Sequence, residues 1–186
     1  MKHTIILYFL LFVTFANGQS INANWQQDLN LAMEELKKCE NTNPSGVSSC
    51  NHYMGNALKQ IYKIDDFYSA RDERNMLAHE IAEFLKNSEK WTLLGYGFEQ
   101  KALIEAQRLA NDNKAVVAVY INEQGLGHVA YIVPGEMRLS GIWGIQVPNS
   151  ASLLPSNPAK SYVSKPLSYS FEGTQVKRVL IYARNY

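Results

Sequence analysis

Cys50 and His128 are the two residues whose type and surroundings suit nucleophilic chemistry. Cys50 follows a loop rich in serine and is predicted to open a helix, where free backbone N–H groups and the positive end of the helix dipole stabilise a thiolate. The same N–H groups can form an oxyanion hole for acyl transfer. His128 begins a predicted strand, which would hold its imidazole rigidly. A cysteine at a helix N-terminus facing a histidine on a sheet is the pair that a cysteine nucleophile needs.

The other histidines are weaker candidates for a catalytic base, and the metal and cofactor motifs are missing from the sequence. His52 lies two positions from Cys50 on the same helix and therefore points to a different side. His79 has the ordinary surroundings of a partly exposed helix residue, and His128 itself has a structural alternative, a hydrogen bond within the sheet edge. The chain contains no HExxH or CxxC pattern, and Gly125-Leu-Gly127 lacks the third glycine of a dinucleotide loop. Neither a metal nor another cofactor is therefore expected.

Cys39 leaves a second state open for Cys50. The chain has two cysteines, and a Cys39–Cys50 disulfide would close a small loop, as is common in exported proteins. A bridged Cys50 carries no thiolate and would not act as a nucleophile. The sequence therefore allows either a reactive thiol or a structural bridge.

The first 18 residues have the pattern of a signal peptide. Lys2 supplies a short positive region, Ile5–Phe15 is apolar, and Ala16-Asn17-Gly18 places small residues where a signal peptidase cuts. The apolar run is shorter than the ~20 residues of a membrane-spanning helix. We therefore expect a secreted or periplasmic protein that begins at Gln19 and has no stable membrane anchor.

The charge balance limits the partners of the chain. It has 186 residues, of which 18 are Lys or Arg and 17 are Asp or Glu. Such a balance offers no strongly positive surface, so nucleic-acid binding is not expected. With 46% hydrophobic residues, the length fits a single domain over residues 19–186.

The periodicity of apolar residues changes from helical to strand-like along the chain. Helices are predicted near Trp25–Lys38, Cys50–Tyr62, Arg71–Lys86 and Glu99–Ala110; strands are predicted at Ala115–Ile121, Gly127–Val133, Gly141–Val147, within Ser161–Phe171, and at Gln175–Ala183. Short turns between successive strands favour an antiparallel sheet. Helices followed by such a sheet indicate an α+β fold.

Two of these segments resemble the motifs of a known family. Cys50-Asn-His-Tyr-Met54 resembles the cysteine box of the papain-like peptidoglycan amidases of the NlpC/P60 and CHAP group. Gly127-His-Val-Ala-Tyr-Ile-Val-Pro-Gly135 resembles their histidine box, and the order of the two boxes also agrees. The resemblance covers roughly Val47 to Arg184, although no wall-binding repeat accompanies it.

The resemblance implies a papain-like fold, with N-terminal helices packed on the sheet, that cleaves amide bonds in peptidoglycan stem or cross-link peptides. Cys50 would be the nucleophile, and His128 the base that takes its proton and returns it to the leaving amine. A third polar residue at the start of the next strand would orient the imidazole. Gln146 and Asn149 are the candidates, and Glu136, in the turn after the histidine strand, is a less suitable one.

Two alternatives remain open at this stage. One is a secreted, non-catalytic binding or interaction protein on the same fold, with Cys39–Cys50 as a structural bridge. The other is a papain-like protease or acyltransferase with a protein substrate. For the amidase, the expected partners are peptidoglycan peptides and a protein inhibitor or immunity protein, and the expected state is a monomer.

The signal-peptide assignment predicts the N-terminus of the exported protein. N-terminal sequencing of protein recovered after export should begin at Gln19, because Ala16 and Gly18 are the small residues before the cut. An N-terminus at Met1, or one far from Gln19, would contradict the assignment.

Overall fold

The computed structural model describes residues 20–39 and 49–186 of the chain. The predicted signal peptide, its cleavage site and the predicted loop at residues 41–46 lie outside the described residues. Within the described ranges, none of the helices combines the length and the apolar character needed to span a bilayer.

The first two helices form where the sequence predicts them. Helix α1 covers Trp25–Lys38 and buries Leu29, Ala32 and Leu36 at helical spacing. Helix α2 covers His52–Tyr62, and a 3-10 turn at Ser49–Asn51 leads into it. The predicted start at Cys50 therefore falls in this 3-10 turn, two residues before the α-helix begins at His52.

The third helix begins later than predicted. Residues near its expected start form a small hairpin of β1 (Tyr68–Ser69) and β2 (Arg74–Asn75), and helix α3 covers Ala78–Asn87. Glu80 accounts for the late start, because its carboxylate accepts the N–H of Leu77 and pairs with both terminal nitrogens of the Arg74 guanidinium. The hydrogen bond to Arg74 lowers the pKa of Glu80 to about 2.

Helix α4 and most of the strands follow the expected order. Helix α4 covers Gln100–Asn111, close to its predicted range. The remaining strands of the described residues are β3 (Trp91–Tyr96), β4 (Val116–Ile121), β5 (Gly127–Ile132), β6 (Arg138–Leu139), β7 (Gln146–Val147), β8 (Asn149–Ser152), β9 (Tyr162–Pro166) and β10 (Leu180–Arg184). Six of them form one antiparallel sheet in the order β3–β10–β4–β5–β8–β9. The predicted α+β class is confirmed.

The strand pattern differs from the prediction in three places. Strand β3 was not predicted, because it pairs with the distant β10 at the edge of the sheet, a long-range contact that local patterns do not reveal. The predicted strand Gly141–Val147 is wrong, because β6 and β7 form a separate hairpin there and Gly144 turns the chain with a φ of +70°. The predicted strand Gln175–Ala183 starts late, since a 3-10 turn at Val176–Arg178 precedes β10.

The two faces of the sheet pack against different helices. One face is covered by α1, α2 and α3, which contact the strand residues Val117, Val119, Val129, Tyr131 and Val133. The opposite face is covered by α4, which contacts Val116, Ala118, Ala130 and Ile132. The hydroxyl of Tyr131 donates to the carbonyl of Met54, so α2 is fixed to the middle of β5. This contact sets the start of α2 relative to the strand that carries His128.

Candidate functional site

Cys50 is joined to Cys39 in a disulfide. The Cα atoms of the two residues are 6.0 Å apart, and only 2% of Cys50 is exposed. Helix α1 ends at Lys38, so Cys39 leaves it directly beside the turn that leads into α2. Of the two states that the sequence allows, the structure therefore has the bridged one. In this state Cys50 has no thiol, and its catalytic role stays a prediction.

His128 is buried near the N-terminal end of β5. Its Nε2 atom lies 2.7 Å from Oγ of Ser152, and its ring centroid lies 5.7 Å from that of Phe171. Burial lowers the pKa of His128 to about 4. At neutral pH the imidazole is therefore uncharged.

The second ring nitrogen of His128, Nδ1, is not the one that Ser152 engages. Within the part of the chain that the structure describes, Nδ1 makes no hydrogen bond, and His128 lines two cavities. This leaves one nitrogen held by Ser152 and the other available to a reacting group.

Ser152 is the site residue that sequence analysis missed. It lies on β8, the neighbour of β5, and the register pairs Tyr131 with Ala151 and Ile132 with Ser150. Side chains alternate along both strands, so Ser152 and His128 share one face. The family resemblance implied a polar residue on the strand after the histidine. It took the segment Gly141–Asn149 as that strand, and so pointed to Gln146 and Asn149 instead of Ser152.

Gln146 and Asn149 make their hydrogen bonds to residues other than His128. Gln146 is exposed, and its backbone exchanges two hydrogen bonds with the side chain of Gln100 on α4. Asn149 is buried on the face of β8 opposite Ser152, and its amide donates to the carbonyl of Pro134. The structure brings neither side chain to the imidazole, and Glu136 is an exposed residue of the turn after β5.

His128 lies between two cavities. The first has a volume of about 560 Å³ and is lined by Asn51 and Met54 at the start of α2, by His79 of α3, and by the turn before β5. The second has a volume of about 650 Å³ and contains Ser152. Both include His128, so its imidazole and the start of the helix that follows Cys50 border one common space.

The second cavity combines aromatic rings with positive charge. The Nζ atom of Lys165 lies 5.3 Å from the ring centroid of Tyr169 and 5.7 Å from that of Tyr162. Lys160 lines the same cavity, as does one acidic residue, Glu172. The cavity therefore suits an extended ligand that carries carboxylates.

Cys50 and His128 lie on different faces of the sheet, and Cys50 lines neither cavity. The side chain of His128 shares the face of Ala130 and Ile132, which pack against α4, whereas Cys50 packs with α1 and α2 on the other face. Any direct contact between them must therefore occur around the end of β5. Within the described ranges, no cluster of three or more His, Cys, Asp or Glu residues could hold a metal ion.

Comparison with known proteins adds no family assignment. No protein-family model matches the chain, and a search of curated proteins returns no relative. The papain-like resemblance therefore stays a prediction from the two sequence boxes.

The buried His128 predicts a specific pH dependence of stability. Because the pKa of His128 in the folded protein lies below the ordinary value of 6.5, the unfolded chain binds a proton first as the pH falls. This residue should therefore lower the free energy of unfolding by about 3 kcal/mol between pH 6.5 and pH 4, with little further loss below pH 4.

Denaturant unfolding at a series of pH values measures this loss. His128→Gln should remove it, whereas Gln146→Ala, which changes no titratable group, should keep it. An unchanged pH dependence in His128→Gln would show that this imidazole is not buried in its neutral form.

Proposed function

We propose that the protein is an exported cysteine amidohydrolase that cleaves amide bonds in peptidoglycan stem or cross-link peptides. The active form would be the dithiol, in which Cys50 is released from Cys39. One observation carries the proposal: the start of the helix after Cys50 and the imidazole of His128 border the same cavity. The order of a cysteine helix followed by a histidine strand agrees with the resemblance to papain-like amidases.

Each residue would have a defined role. The Cys50 thiolate would attack the carbonyl carbon of the scissile amide, after His128 has taken its proton through Nδ1. The imidazolium would then protonate the leaving amine as the C–N bond breaks, which leaves a thioester on Cys50. A water deprotonated by the neutral imidazole would hydrolyse this thioester, release the acid and restore the Cys50 thiol. Ser152 would hold the ring through Nε2, from which it lies 2.7 Å away. The backbone N–H groups at the start of α2 would stabilise the oxyanion of the tetrahedral intermediate.

The neutral state of His128 is consistent with a resting, bridged enzyme. No carboxylate contributes to the pKa of His128, which burial alone depresses. A thiolate formed at Cys50 would supply the missing negative charge and favour the imidazolium. The catalytic ion pair would thus form only after the disulfide has opened.

The second cavity supports an acidic peptide as substrate. Stem peptides of peptidoglycan carry free carboxylates, and Lys160 and Lys165 line the cavity that continues beyond His128. The aromatic rings of Tyr120 and Tyr169 provide flat apolar walls for the peptide chain.

A non-catalytic binding protein is the second candidate function. The disulfide favours it, because a buried and bridged Cys50 is inert towards an amide. The same two cavities would then hold a peptide without cleaving it. The two functions differ in whether the protein turns over peptidoglycan once Cys50 has a free thiol.

Substitutions that start from Cys39→Ser test the enzyme directly, because this variant has a free Cys50 without added reductant. It should release muropeptides from purified peptidoglycan, as measured by mass spectrometry. Adding Cys50→Ser or His128→Ala should reduce the release to background, because nucleophile and base act as a unit. Adding Ser152→Ala should cost roughly 10-fold in kcat, about 1.4 kcal/mol, with a shifted pH profile.

Gln146→Ala is the matched control and should keep full activity, because its side chain lies away from the imidazole. Circular dichroism should show that every variant is folded. Full activity of the Cys50→Ser variant would contradict the mechanism, and inactivity of a folded Cys39→Ser protein with a reactive thiol would favour the binding protein.

The proposed acidic substrate gives a separate expectation for Lys165. In the Cys39→Ser protein, Lys165→Ala should raise KM for a carboxylate-bearing stem peptide about fivefold, or roughly 1 kcal/mol, with little change in kcat. Lys165→Arg should keep most of the affinity, and Lys101→Ala, on the exposed start of α4, should have no effect. An unchanged KM in Lys165→Ala would remove this cavity from the substrate site.

A further inference from the structure

We infer that the Cys39–Cys50 disulfide is a redox switch that holds the enzyme inactive until a low-molecular-weight thiol opens it. This inference rests on the proposed function, in which Cys50 is the nucleophile. The disulfide engages the very sulfur that the catalytic step needs, and the chain has no third cysteine that could exchange with it. Opening the bridge would thus convert an inert site into a nucleophile without any other change of covalent structure.

The packing of α1 on α2 does not depend on the bridge. Leu29 and Leu36 of α1 and Leu58 and Ile61 of α2 are fully buried in the same core. Asn22, just before α1, donates its backbone N–H to the carbonyl of Ile61. These contacts remain when the disulfide is reduced.

The loop that the disulfide closes is short. The two cysteines are separated by 11 positions, and a bridge over such a loop stabilises a protein by about 3 kcal/mol in the chain-entropy model. Reduction should therefore lower the free energy of unfolding by about this amount, and we expect the shared core of α1 and α2 to keep the reduced protein folded.

The two cysteines differ in burial, which gives the exchange a direction. Cys39 is half-buried at the end of α1, whereas Cys50 is 2% exposed. An incoming thiolate should therefore attack Sγ of Cys39, because thiol–disulfide exchange requires access to the sulfur that is attacked. Cys50 is then the leaving group, and the N–H groups at the start of α2 stabilise the thiolate that departs.

The exchange balances with two equivalents of thiol. The first thiolate forms a mixed disulfide with Cys39, the Cys39–Cys50 bond breaks, and its electron pair leaves on the Cys50 sulfur. A second thiolate attacks the external sulfur of the mixed disulfide and frees Cys39. The two external thiols end as a disulfide, and both cysteines end reduced. The Cys50 nucleophile is already free after the first step, so the mixed disulfide should be active.

The test compares oxidised wild-type protein, the same protein with millimolar glutathione, and Cys39→Ser without glutathione. Release of muropeptides from purified peptidoglycan should be at least 100-fold lower for the oxidised wild type than for the other two. Iodoacetamide should label Cys50 in both active forms and leave the oxidised protein unlabelled. Brief treatment with limiting glutathione, followed by acid quenching and peptide mapping, should find the adduct on Cys39.

The outcomes distinguish a failure of the redox switch from a failure of the proposed function. If Cys39→Ser is active but glutathione neither opens the bridge nor activates the folded wild type, the switch is wrong and the proposed function stands. Loss of the circular dichroism signal on reduction would likewise identify a structural bridge. If Cys39→Ser carries an alkylatable Cys50 and still releases nothing, the proposed function fails. A glutathione adduct on Cys50 instead of Cys39 would overturn the direction of exchange.

Discussion

Strand β5 lies in the middle of the sheet between β4 and β8, and its side chains alternate between two separate cores. This alternation determines which groups can meet at the site. Tyr131 faces α2 and fixes it through the carbonyl of Met54, while His128 faces the side of α4 and meets Ser152. A shift of one residue in the pairing of β5 with β8 would put Ala151 in place of Ser152 and leave the imidazole without its partner.

The environment of His128 determines when its imidazole can carry a charge. The ring is buried and has one neutral hydrogen-bonding partner, so the protonated form has no counter-charge. A serine can orient a neutral imidazole but cannot stabilise an imidazolium as a carboxylate would. The negative charge that would stabilise the imidazolium must therefore come from a bound or reacting group, and in the proposed function that group is the Cys50 thiolate.

Elements with a strong local pattern were predictable from the sequence. Helix α1 and strands β4 and β5 contain apolar residues at a clear period, and their positions agree with the structure. The hairpin before α3 was not predictable in the same way, because individual side-chain contacts of Glu80 decide where that helix starts. Strand β3 depends on pairing with β10 across half of the chain, which no local window contains.

The candidate site was likewise predictable only where a local pattern marked its residues. His128 was found from its position at the start of an apolar strand. Ser152 was missed because the turn at Gly144 and the small hairpin of β6 and β7 move the next sheet strand several residues along the chain. The state of Cys50 was left open because two cysteines eleven positions apart can pair or stay apart, and only the end of α1 at Lys38 places Cys39 against the turn before α2.

The position of the disulfide favours regulation over simple reinforcement. A bridge that only strengthened the fold would be most effective where it closes a long loop or joins elements that lack a shared core. Here it closes a short loop between two helices that already share buried leucines, so these helices have other contacts that hold them together. Under the proposed function its chemical consequence is larger, because the bridge engages the sulfur that would act as the nucleophile. In the proposed exported enzyme, a catalytic thiol left free under oxidising conditions would be open to oxidation. Pairing Cys50 with the less buried Cys39 would protect that sulfur and leave it releasable by a thiol.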